Sequence, residues 1–236
     1  MGMVTVNDVD SLSYRAVEVL LLLPTLLFGF LGLGVILVGL GGESVGDGPL
    51  GMASIFGTFG VWYIGGIVVA LISWLVTPIV LYFDTKKIRD ADVDWDPNPV
   101  LYAVGGFFLG YLMKLHHLYH RHQYVVDWVD RDWWWTVVAV GTVLPPVCIA
   151  LGATLVSSGS LGIGFVFVGV GILTAVPFSV AIYRDATYVR LQSGAWQPNP
   201  GNYVNLGVFF LLLGPIVYPI IGCYYLFRRH RAIGTL

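Results

Sequence analysis

Long hydrophobic segments alternate with short polar segments along the whole chain. Residues 55–83, 133–156, 161–183 and 203–227 are free of Lys, Arg, Asp and Glu, and each segment has at least 23 residues. Residues 17–40 form a fifth segment, in which 17 positions are Leu, Ile, Val or Phe. A helix needs about 20 apolar residues to cross a bilayer, so all five segments are predicted membrane helices.

A sixth hydrophobic segment is shorter. It covers residues 100–113, after which Lys114, His116 and His117 interrupt it. As a helix it would be about 21 Å long, against a hydrocarbon core of about 30 Å. We expect a helix over residues 100–119 that crosses the membrane fully or only in part.

The composition supports a membrane protein and excludes a soluble globular domain. Of the 236 residues, 57% are hydrophobic and 11% are charged, and the mean hydropathy is +0.80. The predicted fold class is an all-α polytopic integral membrane protein, with the lipid bilayer as its main partner. The net charge of −2 provides no basic face for nucleic acid. A second membrane protein or a further copy of the chain is a candidate partner.

The two halves of the chain resemble each other. A shift of 101 residues gives ten identities in 27 positions, which are Tyr82, Asp84, Arg89, Trp95, Pro97, Asn98, Pro99, Tyr102, Gly106 and Phe108. A shift of 108 residues aligns residues 118–122 with 226–230. We therefore predict two repeats of three helices: residues 1–122 (helices 17–40, 55–83 and 100–119) and residues 123–236 (helices 133–156, 161–183 and 203–227).

The repeated W-x-P-N-P segment predicts the start of a helix in each half. Asn98 and Asn199 are suited to cap a helix whose first residue is Pro99 or Pro200, because proline has no N–H to leave unpaired there. Tryptophans favour the membrane interface, and the predicted interface anchors are Trp95, Trp133, Trp134, Trp135 and Trp196. The alternative is a paired polar site at the membrane surface, built from Asp84, Arg89, Asp185 and Arg190.

Four of the five histidines lie close together, at His116, His117, His120 and His122. Spacings of three and four residues place imidazoles on one helix face, where they could hold a metal or a haem iron. Lys114 and Arg121 would repel a cation. The favoured interpretation is a basic, wettable end of a membrane helix that rests against lipid headgroups, so no cofactor is expected.

The distribution of cations favours one of two topologies. If all six helices cross, seven Lys and Arg residues lie on one side and five on the other. If the third helix of each repeat dips in and returns, or lies along the interface, all 12 lie on one side. The positive-inside rule favours four full spans plus two partial ones, with cationic loops and termini in the cytoplasm. Gly105–Gly106, Gly214, Pro215, Pro219 and Gly222 are the predicted interruptions.

The hydrophobic segments contain few ionisable side chains that could take part in catalysis. Ionisable residues that mark proton relays and ion pathways are missing from the centres of the predicted spans. We expect a non-catalytic structural or accessory component of the cell membrane, rather than an enzyme. The alternatives are a small-solute channel or permease at the repeat interface, and an interfacial metal or haem protein that uses residues 116–122.

A family resemblance agrees with this interpretation. The Tyr-x-Asp helix end, the W-x-P-N-P segment and the terminal Y-L-x-R-R-H-R motif resemble uncharacterised multi-pass membrane proteins of salt-loving archaea, over residues 82–122 and 183–236. The excess of Arg over Lys (9 to 3) and of Asp over Glu (12 to 2) is typical of salt adaptation. The resemblance implies a helical membrane fold and brings no substrate, cofactor or catalytic residue.

Overall fold

The computed structural model describes residues 4–5, 9, 11–41, 49–91, 93–126, 132–192, 196–213 and 218–234. Eight helices lie within these residues: α1 (Leu12–Leu40), α2 (Pro49–Arg89), α3 (Pro99–Leu109), α4 (Tyr111–Tyr124), α5 (Trp134–Ser157), α6 (Leu161–Gln192), α7 (Pro200–Leu213) and α8 (Tyr218–Ile233). Two short segments, β1 (Val4–Thr5) and β2 (Val125–Val126), pair in parallel and bring the start of the chain to the end of α4.

Four helices are long and apolar enough to cross a membrane. They are Leu12–Leu40, Phe56–Arg89, Trp134–Ser157 and Leu161–Gln192. Their outward faces carry exposed apolar side chains such as Phe30, Leu37 and Val61, which is typical of a surface in contact with lipid. The predicted helical fold is confirmed, with four helices that are long and apolar enough to span a membrane. The predicted repeat of three helices in each half stays a prediction.

The first and second halves of the chain meet where α1 packs against α6. A Cβ atom on Gly32 would lie 2.9 Å from the carbonyl oxygen of Gly169, and one on Gly39 would lie 2.6 Å from another backbone oxygen of α6. Close backbone approach through small residues is a common way for helices to associate in membranes. The packing of α5 against α6 is similar, since a Cβ on Gly152 would lie 2.6 Å from a carbonyl oxygen of α6.

The structure has two helices where the sequence predicts one over residues 100–119. α3 and α4 meet at Gly110, whose φ of +47° favours glycine. The predicted interruption at Gly105–Gly106 is wrong, because both residues lie inside α3. Gly106 instead allows α3 to pack closely on α2, where an added Cβ would lie 3.3 Å from Pro78 Cα.

The two arms of the α3–α4 hairpin both extend toward the C-terminal end of α2. Near the tip of the hairpin, Trp74 Nε1 donates a hydrogen bond of 2.9 Å to the Phe107 carbonyl. Near the end of α4, Arg121 reaches Asp84 at 3.2 Å. Trp74 and Asp84 are about 15 Å apart along α2. Both ends of the hairpin therefore lie near the C-terminal end of α2, where Arg89 is located.

The last predicted helix, over residues 203–227, is also described as two helices, α7 and α8. Two predicted interruptions, Gly214 and Pro215, lie in 214–217, outside the described residues. Pro219 and Gly222 lie within α8, where Gly222 closely approaches Thr142 of α5. α7 packs against α6, and α8 packs against α5.

Candidate functional site

Polar and ionisable side chains gather where the ends of α1, α2, α4, α6 and α8 come together. We call this group the buried polar layer: Ser11, Tyr14, Glu18, Asp84, His117, Arg121, His122, Tyr183, Asp185, Tyr225 and Arg229, all of them buried. Buried charges are costly unless they are paired and hydrogen-bonded. The hydrogen-bond and ion-pair partners of these side chains therefore indicate which role the buried polar layer has.

The first cluster of the layer surrounds Asp84 near the end of α2. Asp84 Oδ2 accepts a hydrogen bond of 3.2 Å from Arg121 Nε and lies 2.7 Å from His117 Nε2. The other oxygen, Oδ1, accepts 2.6 Å from the Ser11 hydroxyl. Arg121 also donates to the Val9 carbonyl, at 3.1 Å. This Asp84 clamp ties α4 and the start of α1 to α2.

The second cluster surrounds Asp185 near the end of α6. Asp185 Oδ2 accepts a hydrogen bond of 2.7 Å from the Tyr225 hydroxyl and one of 2.9 Å from Arg229 Nε. Arg229 also forms an ion pair with Asp132, just before α5. Burial raises the pKa of the Tyr225 hydroxyl well above its ordinary value, and Asp185 adds to the shift. Tyr225 therefore remains a donor, and this Asp185 clamp ties α8 to α6.

The two clamps use equivalent positions of the two halves. Asp84 and Asp185 are aligned by the 101-residue shift, and Arg121 and Arg229 by the 108-residue shift. In each clamp the arginine Nε and a side chain four residues earlier meet the Oδ2 atom of the aspartate. Residues four apart lie on one face of a helix, so each pair contacts its carboxylate from the same direction.

A third cluster connects α1, α4 and α6. The Tyr14 hydroxyl donates 2.7 Å to Glu18 Oε1 and lies 2.6 Å from the Tyr183 hydroxyl. Tyr183 also contacts Glu18 Oε1, and His122 Nε2 lies 3.0 Å from the Tyr183 hydroxyl. This Glu18 network places a carboxylate, two phenols and an imidazole in one buried chain.

Burial controls the charge of His122. Removal from water, with additional effects from Arg121 and Arg190, lowers the pKa of the His122 imidazole well below its ordinary value. The imidazole is therefore neutral at pH 7, and its ring contributes a hydrogen bond rather than a charge.

The structure separates the histidines of the predicted metal or haem site. His117 faces Asp84 and His122 faces Tyr183, while the rings of His116 and His120 lie 4.4 Å apart between centroids. Within the described ranges, no group of three or more His, Cys, Asp or Glu residues could hold a metal ion. The favoured interpretation, a wettable end against headgroups, is wrong for the buried residues, Lys114, His117, Arg121 and His122, because α4 turns back toward α2.

The paired surface site predicted from Asp84, Arg89, Asp185 and Arg190 is not assembled in the structure. Both aspartates are buried in separate clamps. Arg89 lies 3.7 Å from Asp90 on the surface, and Arg190 is buried and donates to the Gln123 carbonyl at 3.2 Å. The carboxylates therefore face the interior of the bundle.

The predicted interface tryptophans occupy different environments. Trp95 stacks on Tyr124 and packs against Tyr102 and His117, so it contributes to the core of the first half. Trp196 packs on Tyr203 and Tyr225 in the second half. The rings of Trp133 and Trp134 stack with their centroids 4.3 Å apart, and the Trp135 ring lies near the Arg229 guanidinium. Trp133 is exposed, with 47% of its surface accessible.

The two predicted helix starts have cap hydrogen bonds. Asn98 Oδ1 accepts from the backbone N–H groups of Val100 and Leu101, with Pro99 at the first turn. Asn199 is the residue before Pro200, and its Oδ1 accepts a hydrogen bond from the backbone N–H of Gly201. The Nδ2 of Asn199 donates a hydrogen bond of 2.9 Å to the Tyr119 carbonyl. Asn199 therefore also joins α7 to α4 of the first half.

Several residues of the buried polar layer were not predicted as site residues. Ser11, Tyr14 and Glu18 lie in no motif of the sequence, and Tyr225 is the first residue of the terminal Y-L-x-R-R-H-R motif but was not predicted as a site residue. Glu18 had one usable signal, because it is the single ionisable residue in an otherwise apolar segment. Such a residue needs an internal partner.

No protein family, curated protein or solved structure matches the chain. The resemblance to membrane proteins of salt-loving archaea stays a prediction. Function is therefore inferred from the buried polar layer and the helices that carry it.

Proposed function

We propose that this chain is a non-catalytic integral membrane protein with a structural or accessory role. It consists of two related halves, residues 1–122 and 123–236, and each half has two spans and one hairpin that does not cross. The observation that supports this proposal most directly is the pair of equivalent Asp–Arg clamps. The first clamp holds the end of the α3–α4 hairpin against the end of α2, and the second holds α8 against the end of α6.

The hairpins support a topology with one cationic side. If α3–α4 and α7–α8 enter and leave on the side of Arg89, all 12 Lys and Arg residues lie on that side. The turn between α5 and α6, residues 158–160, has no charged residue. By the positive-inside rule the cationic side is the cytoplasm of a cell membrane.

The contacts favour a structural role for the polar groups. Asp84 and Asp185 accept hydrogen bonds from side chains outside their own helices, and Glu18 accepts one from Tyr183 of α6 besides those from its own helix. Removing one partner of a buried ion pair is strongly destabilising. A carboxylate held in this way fixes helix positions, and an accessory protein needs such a fixed surface to present to a second membrane protein or to another copy of itself.

A channel or permease at the repeat interface is less well supported. The backbones of α1 and α6 approach each other closely at Gly32 and Gly169. The two halves are therefore in direct contact at these residues, where a solute path would have to pass between them. A metal or haem role is also less well supported, because His117 and His122 are engaged with Asp84 and Tyr183.

Two measurements on the full chain test the proposed role. In proteoliposomes, we expect no flux of ions, sugars or amino acids above that of protein-free vesicles. In native membranes, we expect crosslinking to give either a homo-oligomer or one membrane-protein partner at fixed stoichiometry. Solute flux that is lost when Gly32 is replaced by leucine, but kept with Gly60→Leu, would overturn the structural role, since the structure shows open space around Gly60.

A further inference from the structure

A cavity of about 300 Å³ lies between α1, α2 and the first turn of α4. Its walls are mostly apolar and include Pro24, Leu27, Val69, Ala70 and Trp74. This volume is at the lower end of the range of ligand cavities, roughly 300–1,000 Å³. The cavity therefore suits one hydrocarbon chain with a small polar group.

One end of the cavity is polar. Ser73 and Tyr111 line it, and the Lys114 ammonium lies directly behind them, in contact with Ser73 Oγ and 5.4 Å from the Tyr111 ring centroid. In the described part of the chain, the Tyr111 hydroxyl is buried with no hydrogen-bond partner. A buried hydroxyl without a partner and a buried cation therefore lie at this end of the cavity, with Ser73 and Tyr111 forming its wall.

Lys114 is a buried cation without a countercharge among the described residues. Its side chain is 1% exposed, and its hydrogen-bond acceptors are neutral, the Ser73 hydroxyl and the Leu20 carbonyl. Burial lowers the pKa of Lys114 to about 8. An anion at the polar end of the cavity would favour the charged ammonium.

The depth of the polar end matches a bilayer boundary. Lys114 contacts α1 at Leu20, and the twenty residues from there to Leu40 at the other end of α1 make about 30 Å of helix. That length equals the thickness of a hydrocarbon core, about 30 Å. Pro24 and Leu27 lie one and two turns deeper. On this placement of the bilayer boundary, the polar end of the cavity lies at the interface and the apolar end lies inside the core.

We propose that this cavity binds an anionic lipid of the surrounding bilayer, with its acidic group at Ser73, Tyr111 and Lys114 and its hydrocarbon chain along Pro24 and Leu27. The binding needs only that the chain lies in a membrane and goes beyond its structural role. The 108-residue shift aligns Lys114 with Gly222, which packs against Thr142. We therefore expect one such lipid per chain, in the first half.

Native mass spectrometry of the full chain in detergent tests this proposal. The probes are phosphatidylglycerol and oleate as anionic amphiphiles, phosphatidylcholine as a neutral lipid, and inorganic phosphate as a soluble anion. We expect one phosphatidylglycerol or oleate per chain, in preference to phosphatidylcholine. Equal binding of the neutral lipid, or displacement of the anionic lipid by phosphate at matched concentration, would overturn the proposal.

Two pairs of variants locate the site. Lys114→Met removes the cation and should weaken anionic-lipid binding about tenfold or more, whereas Lys86→Met, at an exposed cation of α2, should not. Ala70→Phe fills the cavity with the cation retained and should also weaken binding. Its control is Ile67→Phe, an exposed position on α2 outside the cavity lining. Undiminished binding by Ala70→Phe contradicts the site even if Lys114→Met does not fold.

Discussion

Arg121 Nε lies 3.2 Å from Asp84 Oδ2, and neither side chain is exposed. The pair joins α4 to α2 across 37 residues of sequence. Since both groups are removed from water, neither can lose its partner without leaving a buried charge. This contact therefore links the position of the α3–α4 hairpin to the stability of the whole bundle.

Arg121→Gln should lower the free energy of unfolding by about 3 kcal/mol or more, because Asp84 would remain buried without its countercharge. Denaturant unfolding in detergent, followed by circular dichroism, measures the change. Arg231→Gln is the matched control, since Arg231 is exposed at the end of α8, and we expect it to change stability by less than about 0.5 kcal/mol. Equal effects of the two substitutions would argue against the clamp.

Tyr225→Phe removes one hydrogen bond to the Asp185 carboxylate and keeps the ring. A hydrogen bond to a charged group contributes about 1.5–3 kcal/mol, and we expect a destabilisation of that size in the same unfolding assay. Tyr224→Phe is the control, because Tyr224 has 56% of its surface exposed. If Tyr225→Phe is as stable as the control, the Tyr225–Asp185 contact does not hold α8.

Gly110→Ala tests the turn between α3 and α4. Gly110 has a positive φ with a ψ of −103°, a strained backbone conformation that should cost an alanine about 1–3 kcal/mol, so the variant should unfold more easily. Gly60→Ala provides the opposite case, because an added Cβ meets no atom within 4 Å and alanine favours a helix interior by about 0.5–1 kcal/mol. The turn would be in doubt if both alanines stabilised the protein.

Stability should fall as the pH is lowered below about 6.5, the ordinary pKa of histidine. His122 stays neutral in the folded chain because burial lowers the pKa of its imidazole, whereas the unfolded chain binds a proton there. Protonation of the unfolded state then favours unfolding. Thermal unfolding between pH 5 and 8 measures this dependence, and a His122→Gln variant should show a smaller change. An unchanged slope in that variant would exclude His122 as its source.

The spans were predictable because each depends on local composition. Four of the five long apolar segments correspond to helices that are long enough to cross a membrane, whereas the fifth, residues 203–227, is described as two shorter helices. The Asn98 cap was predictable for the same reason, since its hydrogen bonds reach only two and three residues along the chain.

The buried polar layer was not predictable, because its contacts are distant in sequence. Tyr183 reaches Glu18 across 165 residues, and no local pattern marks such a pair. The histidine segment was misinterpreted for a related reason. Basic residues at a helix end normally face water, but the turn at Gly110 directs α4 back onto Asp84.

Cysteine labelling in sealed vesicles tests the central claim most directly, that the α3–α4 hairpin enters and leaves on one side. In a background without Cys148 and Cys223, single cysteines replace Lys86, Gln123 and Ser158, which are all exposed. We expect a membrane-impermeant maleimide to label positions 86 and 123 from the same face, and position 158 from the opposite face. Labelling of positions 86 and 123 from opposite faces would contradict the four-span arrangement and establish a full crossing between them.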